Sequence, residues 1–438
     1  MLITIILIIM LLTSPVHALD TNTNGNQHPH GITASGLNTS IELNENAYMI
    51  QGGTQKGNNL FHSFETFNLH TGEIAYFDDA GMQNTIGRIT GADYSWINGK
   101  IISGAANLYL INPNGIMFGA DVSLNIAGSF HATTADYLKF GENDTFFSQP
   151  FEGDVLSMSA PTAFGFLDRT VAPILIEGKG ELPQYESPET GLNLSLPQTE
   201  LKTVSLVGGD IKMEKGTFYL GQYLDAFGNL ATGPIHIPLI SSHSGNINLV
   251  SVKSPGEVVF TEDGLNLSGF DIMGTIDITD KVAIDVSGYY GGGNIRIFSD
   301  YLNIEESSIH SRSWGFIDGR SVDIRVNHFN FSNGSVMNCD VEGSGNGSDI
   351  HIHAESISLV GTETPFSPSY FKLWNASVPT EGEPGNVGSI IMNADTIHFD
   401  IAIIQSTVSG RGDAAMINLN ARDSIVLKNS WISSVSRA

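Results

Sequence analysis

The chain has 438 residues, 41% hydrophobic and only 15% charged, so it can bury a core and is not disordered by composition. Its 20 Lys and Arg against 46 Asp and Glu leave a formal charge of −26, which opposes phosphate backbones and anionic lipid headgroups and argues against nucleic acid as a partner. A single cysteine, Cys339, rules out an intramolecular disulfide, and 48 glycines with abundant Asn, Ser, Ile and Val suit many short strands and tight turns.

Residues 1–18, MLITIILIIMLLTSPVHA, carry an apolar run from Leu2 to Leu12 too short to span a bilayer, then Val16-His17-Ala18 as a small-residue cleavage site. This reads as a secretory signal peptide, with a retained membrane anchor as the alternative because no Lys or Arg lies near Met1. Alternating apolar segments follow, punctuated by Gly, Asn and Asp, with no long run at helical period. Leu108 to Ile111 and Ile116 to Phe118 flank Asn112-Pro113-Asn114-Gly115. Pro113 fixes φ, Asn112 can accept a side-chain hydrogen bond, and Asn114 or Gly115 can take positive φ, so the tetrapeptide predicts a tight corner between two buried strands. From Leu167 to Thr203, Pro173, Pro183, Pro188 and Pro197 predict a loop-rich excursion or a boundary.

From Gly245 onward the chain repeats. Segments such as GGNIRIFSDYLNI, GRSVDIRVNHFNF and GSDIHIHAESISL share an aliphatic pair, a second pair about seven residues on, and a third short apolar group. The first aliphatic position falls at Ile295, Val322, Ile350, Ile390 and Ile417, in steps of 27, 28, 40 and 27, and the long step reads as an insertion, TETPFSPSYFKLWNASVPTEGEPG, looping out of one turn. Three short strands per repeat fit one coil of a parallel β-helix, in which equivalent strands stack at about 4.8 Å. That register places those five aliphatics in the bore and stacks Arg296, Asp323, His351, Ile391 and Asn418 outside.

The segment NLYLINPNGIMFGADVSLNIAGSFHATTADYLKF, with LFHSFETFNLHTGEIAYF and TIGRITGADYSWINGKI upstream, resembles the haemagglutination-activity domain of filamentous-haemagglutinin-type exoproteins of two-partner secretion systems, roughly from Gly31 to Phe166. The resemblance implies an all-β, right-handed parallel β-helix with an N-terminal secretion domain. It also implies export across a Gram-negative-type envelope, through the periplasm, by a partner outer-membrane β-barrel transporter with periplasmic domains. Asn112, Pro113, Asn114 and Gly115 match the family's asparagine-proline box, held there to matter for secretion or folding, whereas the Asn-Pro-Asn-Leu box of some members is absent. The chain divides on this reading into a signal peptide (1–18), a secretion domain (19–168), a loop-rich extension of the β-helix (169–244) and β-helix repeats of about 27 residues (245–438).

Other candidates compete with structural roles. Arg411-Gly412-Asp413 matches an integrin-ligand tripeptide at an expected turn, although such turns arise commonly by chance. His351 and His353 share an outward face without an evident third metal ligand, and His28 and His30 flank Pro29 in an expected loop after the signal peptide. Tyr289, Tyr290, Trp314, Tyr370, Phe371 and Trp374 fall in turns or in the insertion, where they either stack on sugars or pack loops. No cofactor, metal or catalytic group is implied. The reading is a non-enzymatic secreted or surface adhesin meeting a receptor or glycan, with a polysaccharide-acting enzyme or a truncated effector carrier as the alternative. An enzyme would need acidic and basic groups gathered on one outer face, and the sequence spreads them. The final NSWISSVSRA lacks a polar cap, which reads as an end that associates or a chain cut short.

Overall fold

Alternation with period two and no helical stripe lets each strand bury one side and wet the other, and stacked coils satisfy the backbone of every interior strand. The computed structural model describes residues 28–437 apart from 80, 105–106, 152–153, 169, 184–189, 195–200, 225–229, 263, 364–365, 376–384 and 410–412; the expected signal peptide lies outside the described residues. The described residues form an all-β parallel β-helix with three faces.

Face one begins at Asn59–Asn68 and passes through Asn107–Ile111, Asn246–Ser251 and Asp349–His353. Face two includes Ile116–Phe118, Ile174–Glu177, Ile211–Glu214 and Tyr301–Glu305. Face three runs from Ala47–Gly52 through Ser123–Ile126 and Ala283–Asp285 to Trp431–Arg437. At the N-terminal end, Gly31–Gly36 pairs antiparallel with Asn59–Asn68, and Thr39–Asn44 forms a hairpin with Ala47–Gly52.

The expected register is the observed one. Ile295 pairs with Val322, Val322 with Ile350, Ile350 with Ile390 and Ile390 with Ile417, while Arg296, Asp323, His351, Ile391 and Asn418 stack one position along. The first four aliphatics are fully buried in one continuous core, with Ile417 packed against it. Between coils, side-chain amides donate to one another, as from Asn330 to Asn303 at 2.7 Å and from Asn420 to Asn393 at 2.8 Å.

Two expectations need correction. The 40-residue step is not wholly an outward loop: Ser369–Asn375 is the face-three strand of its coil, paired with Val336–Asn338 and Ala402–Ser409, with Phe371 in the bore. The proline-bearing stretch likewise supplies Ile174–Glu177 to face two and Leu192–Leu194 to face three.

A second sheet lies outside the helix. Asp144–Phe147, Tyr137–Phe140, Pro161–Phe166, Gly256–Thr261 and Gly264–Ser268 pair antiparallel in that order. Its apolar side covers face one, where Leu138, Phe140, Phe146, Phe164, Phe166 and Val258 pack on Phe61, Ile86, Tyr109, Val207, Val250 and Phe298. Arg88 fastens it, reaching the Phe147 carbonyl at 2.9 Å and pairing with the Asp154 carboxylate. Consequently the outward column of face one changes character along its length. It reads Phe61, Ile86, Tyr109 and His131 beneath the outer sheet, then Arg296 against the sheet's last strand at Gly264, and Asp323 and His351 beyond it.

Burial beneath that sheet has a titration consequence. His131, stacked on Tyr109 at 4.4 Å between centroids, and His62, in the N-terminal part of the helix, are held neutral by desolvation, with pKa pushed down to about 3 and about 4. The unfolded chain binds these protons near pH 6.5 and the folded chain does not. Stability from this source is therefore complete above pH 6.5 and falls as pH drops through the interval to 4 and 3. We expect urea-unfolding free energies to decline from pH 7 to pH 4 by about 3 kcal/mol per histidine, and the H131F variant to flatten that slope.

Candidate functional site

The corner at 112–115 joins a face-one strand to a face-two strand and is tied to coils on both sides. Asn112 is fully buried. Its Nδ2 donates to the Asp93 carbonyl at 3.2 Å and to Ser95 Oγ at 3.0 Å in the preceding coil, and its Oδ1 accepts the Asn114 amide at 3.0 Å. Its own amide donates to the Thr133 carbonyl in the following coil, and its carbonyl accepts the Gly115 amide at 3.1 Å, closing the turn. Asn114 is exposed, yet its Nδ2 donates to the Gly91 carbonyl at 2.9 Å.

The positive φ falls on Gly115, at 114°, and a Cβ there would stand 3.3 Å from the Pro173 carbonyl oxygen. The corner therefore needs glycine for conformation and for clearance. No group in the box titrates, so it has no acid, base or nucleophile to offer. Its chemistry is that of a clasp, with Asn114 as its exposed member.

Beside the corner, on the outer side of face two, Trp96 and Met117 are buried, with Tyr94 and Leu175 against them. His28 stacks on Trp96 at 3.8 Å and meets the Tyr94 hydroxyl at 3.2 Å, while His30 pairs with Glu73 at 2.6 Å. Sequence reasoning placed these histidines in a loop and missed that they dock the segment onto the first coils. On the strand that pairs directly with Ile116–Phe118, Glu177 is 1% exposed, and neither carboxylate oxygen has a hydrogen-bond partner. Lys215 Nζ lies 3.5 Å away. Desolvation raises the Glu177 pKa against that cation, so this carboxylate weakens the fold increasingly as pH rises through its folded pKa. We expect E177Q to gain about 1 kcal/mol at pH 7 and to lose that advantage on acidification, read from denaturation midpoints at both pH values.

The remaining candidates resolve differently. Arg411 and Gly412 lie outside the described residues. Asp413 is exposed, and its amide donates to Asn386 Oδ1 at 2.9 Å. That bond ends a ladder in which Asn386 donates its amide to Asn346 and Asn346 to Asp318, so Asp413 occupies a stacked turn. His351 Nδ1 donates to Asp323 Oδ1 at 3.1 Å, and with His353, Arg325 and Asn393 it lines an open groove of about 420 Å³. Among the described residues no group of three His, Cys, Asp or Glu is placed to hold a metal.

Acidic and basic side chains do gather on face three, contrary to the sequence expectation that they stay spread. Asp285, Arg312, Asp340 and Lys372 form pairs at 3.9 and 2.9 Å across adjacent coils. They are spaced by the coil repeat rather than by sequence, which is why the sequence hides them. Each charge is spent on a partner, as in a structural ladder.

A family model described as the TPS secretion domain matches residues 29–297, more than half of the chain. Among solved structures, the HMW1 secretion domain from Haemophilus influenzae aligns with a TM-score of 0.51 at 15% identity, over 93% of this chain and 98% of that one. The filamentous hemagglutinin secretion domain aligns with a TM-score of 0.37 at 11% identity, over 89% of this chain and 100% of that one. No curated protein matches.

Proposed function

The chain belongs to the TPS secretion domain family and is a two-partner secretion exoprotein, and from that premise we propose that its N-terminal coils are received in the periplasm by an outer-membrane β-barrel transporter, cross it unfolded and fold outside. The family match over residues 29–297 is the observation that carries this reading. The β-helix supports it physically, because each coil buries its aliphatics on the one before, so burial of an emerging coil opposes backsliding.

On this proposal the box at 112–115 acts through folding, since its buried amide links three successive coils. The divisions at 168 and 244 mark, on the same proposal, where the receiving module gives way to its extension and then to the repeats. The exported molecule works at or beyond the cell surface as a non-enzymatic adhesin, and the paired state of the face-three charges favours this over a polysaccharide-cleaving enzyme.

The test is export of the full chain from a double-membrane host with and without the cognate transporter, for wild type and N114A. Transporter-dependent appearance in the medium is expected. Periplasmic retention with the transporter present, or release without it, overturns the proposal. N114A removes one exposed hydrogen bond at a cost of about 1 kcal/mol, so a loss of export larger than its loss of stability would assign Asn114 to recognition instead.

A further inference from the structure

The turns from face three to face one stack on one another, and their side chains change abruptly from coil to coil. Tyr289 and Tyr290 protrude from one turn, 57% and 42% exposed, and Phe316 from the next, 64% exposed. Tyr289 meets Tyr290 and Phe316 edge to face, each at 6.3 Å between centroids. The third turn, Gly343-Ser344-Gly345, is almost bare. A Cβ on Gly343 would come within 1.9 Å of the Gly315 carbonyl oxygen, and one on Gly345 within 2.2 Å of that of Ile317. Close stacking therefore keeps this stretch to backbone beside an aromatic wall. These aromatics neither plug the bore nor pack a loop, which are the usual reasons for such residues in turns.

From this arrangement we propose that Tyr289, Tyr290 and Phe316 form a binding shelf for a neutral polysaccharide. Sugar rings present C–H faces that pack on aromatic rings and hydroxyls that donate to carboxylates and amides. Exposed Glu342 stands on the same turns, as do exposed Asp318 and Asn346, each of which already has its Oδ1 on the amide of the next turn. Charge selects the class of ligand. The nearby cations are engaged within the protein, Arg312 over the Trp314 ring at 5.5 Å and Arg320 on the Ser244 carbonyl at 2.8 Å, and the chain carries −26 overall. An anionic glycan would meet repulsion, whereas a neutral one meets acceptors and rings. Tyr289 and Tyr290 lie at the C-terminal edge of the span matched by the secretion family, 29–297, and Phe316 and the bare turn lie beyond it.

The experiment uses the secreted full chain in affinity electrophoresis and calorimetry against a β-glucan, a galactan, a mannan and anionic polygalacturonate. Binding to at least one neutral polymer is expected, with none to polygalacturonate. The Y289A/F316A double variant should bind at least roughly tenfold more weakly, with unchanged melting temperature and normal export. Should its melting temperature fall, F316L, which keeps the bulk and loses the ring, decides and is expected to show the same weakening. The proposal is overturned if no neutral polymer binds, if polygalacturonate alone binds, or if the decisive variant binds as wild type. Export is scored on the same cultures, so a failure of the secretion reading appears separately.

Discussion

Replacing Val258 with Asp will detach the outer sheet and open the N-terminal half of the molecule to proteolysis between residues 137 and 166. Val258 is fully buried and pairs with Phe164 in the middle of that sheet, facing the apolar outer surface of face one. A carboxylate there would sit in the apolar cluster between the sheet and face one, and burying it unpaired costs on the order of 3 to 5 kcal/mol. Letting the sheet lift avoids that cost but exposes Phe61, Tyr109, Phe140, Phe146 and Phe164. We expect a lowered melting temperature, binding of a hydrophobic dye and early cleavage in 137–166, with most β-sheet signal retained. Wild-type melting and cleavage rates for this variant would mean that the sheet contributes little.

On the proposed export route the same geometry orders events during emergence. Residues 137–166 appear roughly a hundred residues before Gly256–Thr261, yet Phe164 and Gly165 take Val258 and Glu257 as strand partners. The Glu257 carboxylate also receives Lys139 Nζ at 3.1 Å and the Tyr137 hydroxyl at 2.8 Å. A chain ending at residue 244 should therefore keep three of the five outer strands, with Pro161–Phe166 left as an edge without its neighbour, and share the protease sensitivity of V258D.

Asn112→Ala is the second change expected to act strongly. It strands the Asp93 carbonyl, Ser95 Oγ and the Asn114 amide at a buried corner, and each unsatisfied buried group costs about 1 to 3 kcal/mol. Allowing for relaxation, we expect a loss of about 3 kcal/mol in urea unfolding, against about 1 kcal/mol for Asn114→Ala, whose single side-chain bond lies at the surface. N112D should fare no better than N112A, because it restores the acceptor but removes both donors and buries a charge. Equal losses for the Asn112 and Asn114 variants would contradict the clasp described here.

The repeats from Ile295 to Ile417 were legible because period-two alternation and a near-constant coil length are local properties. Once Ile295 and Val322 are matched, every outward neighbour follows from the pleat. The corner at 112–115 was legible for the same reason, since Pro113 and Gly115 restrict φ within four residues. What the corner holds was not. Its partners Asp93, Thr133 and Pro173 lie one coil before or after, at separations set by excursions of unequal length.

The outer sheet left a trace that alternation alone does not interpret. Outward positions of face one are aromatic or aliphatic at Phe61, Ile86 and Tyr109 and charged at Arg296 and Asp323, so something had to cover the first set. Sequence could say that a cover was needed, but not that residues 137–166 and 256–268 supply it together.

By itself, then, the sequence determined the strand period, the inward and outward assignment of the repeats, the turn at Asn112 to Gly115 and the family, all written in residues near one another along the chain. Only the tertiary structure decided which distant strands share the outer sheet, which coils the Asn112 amide joins, and which turns bring Tyr289, Tyr290 and Phe316 to one exposed shelf. The reason is that a β-helix stacks residues by coil, and the number of residues in a coil varies with every excursion between its faces.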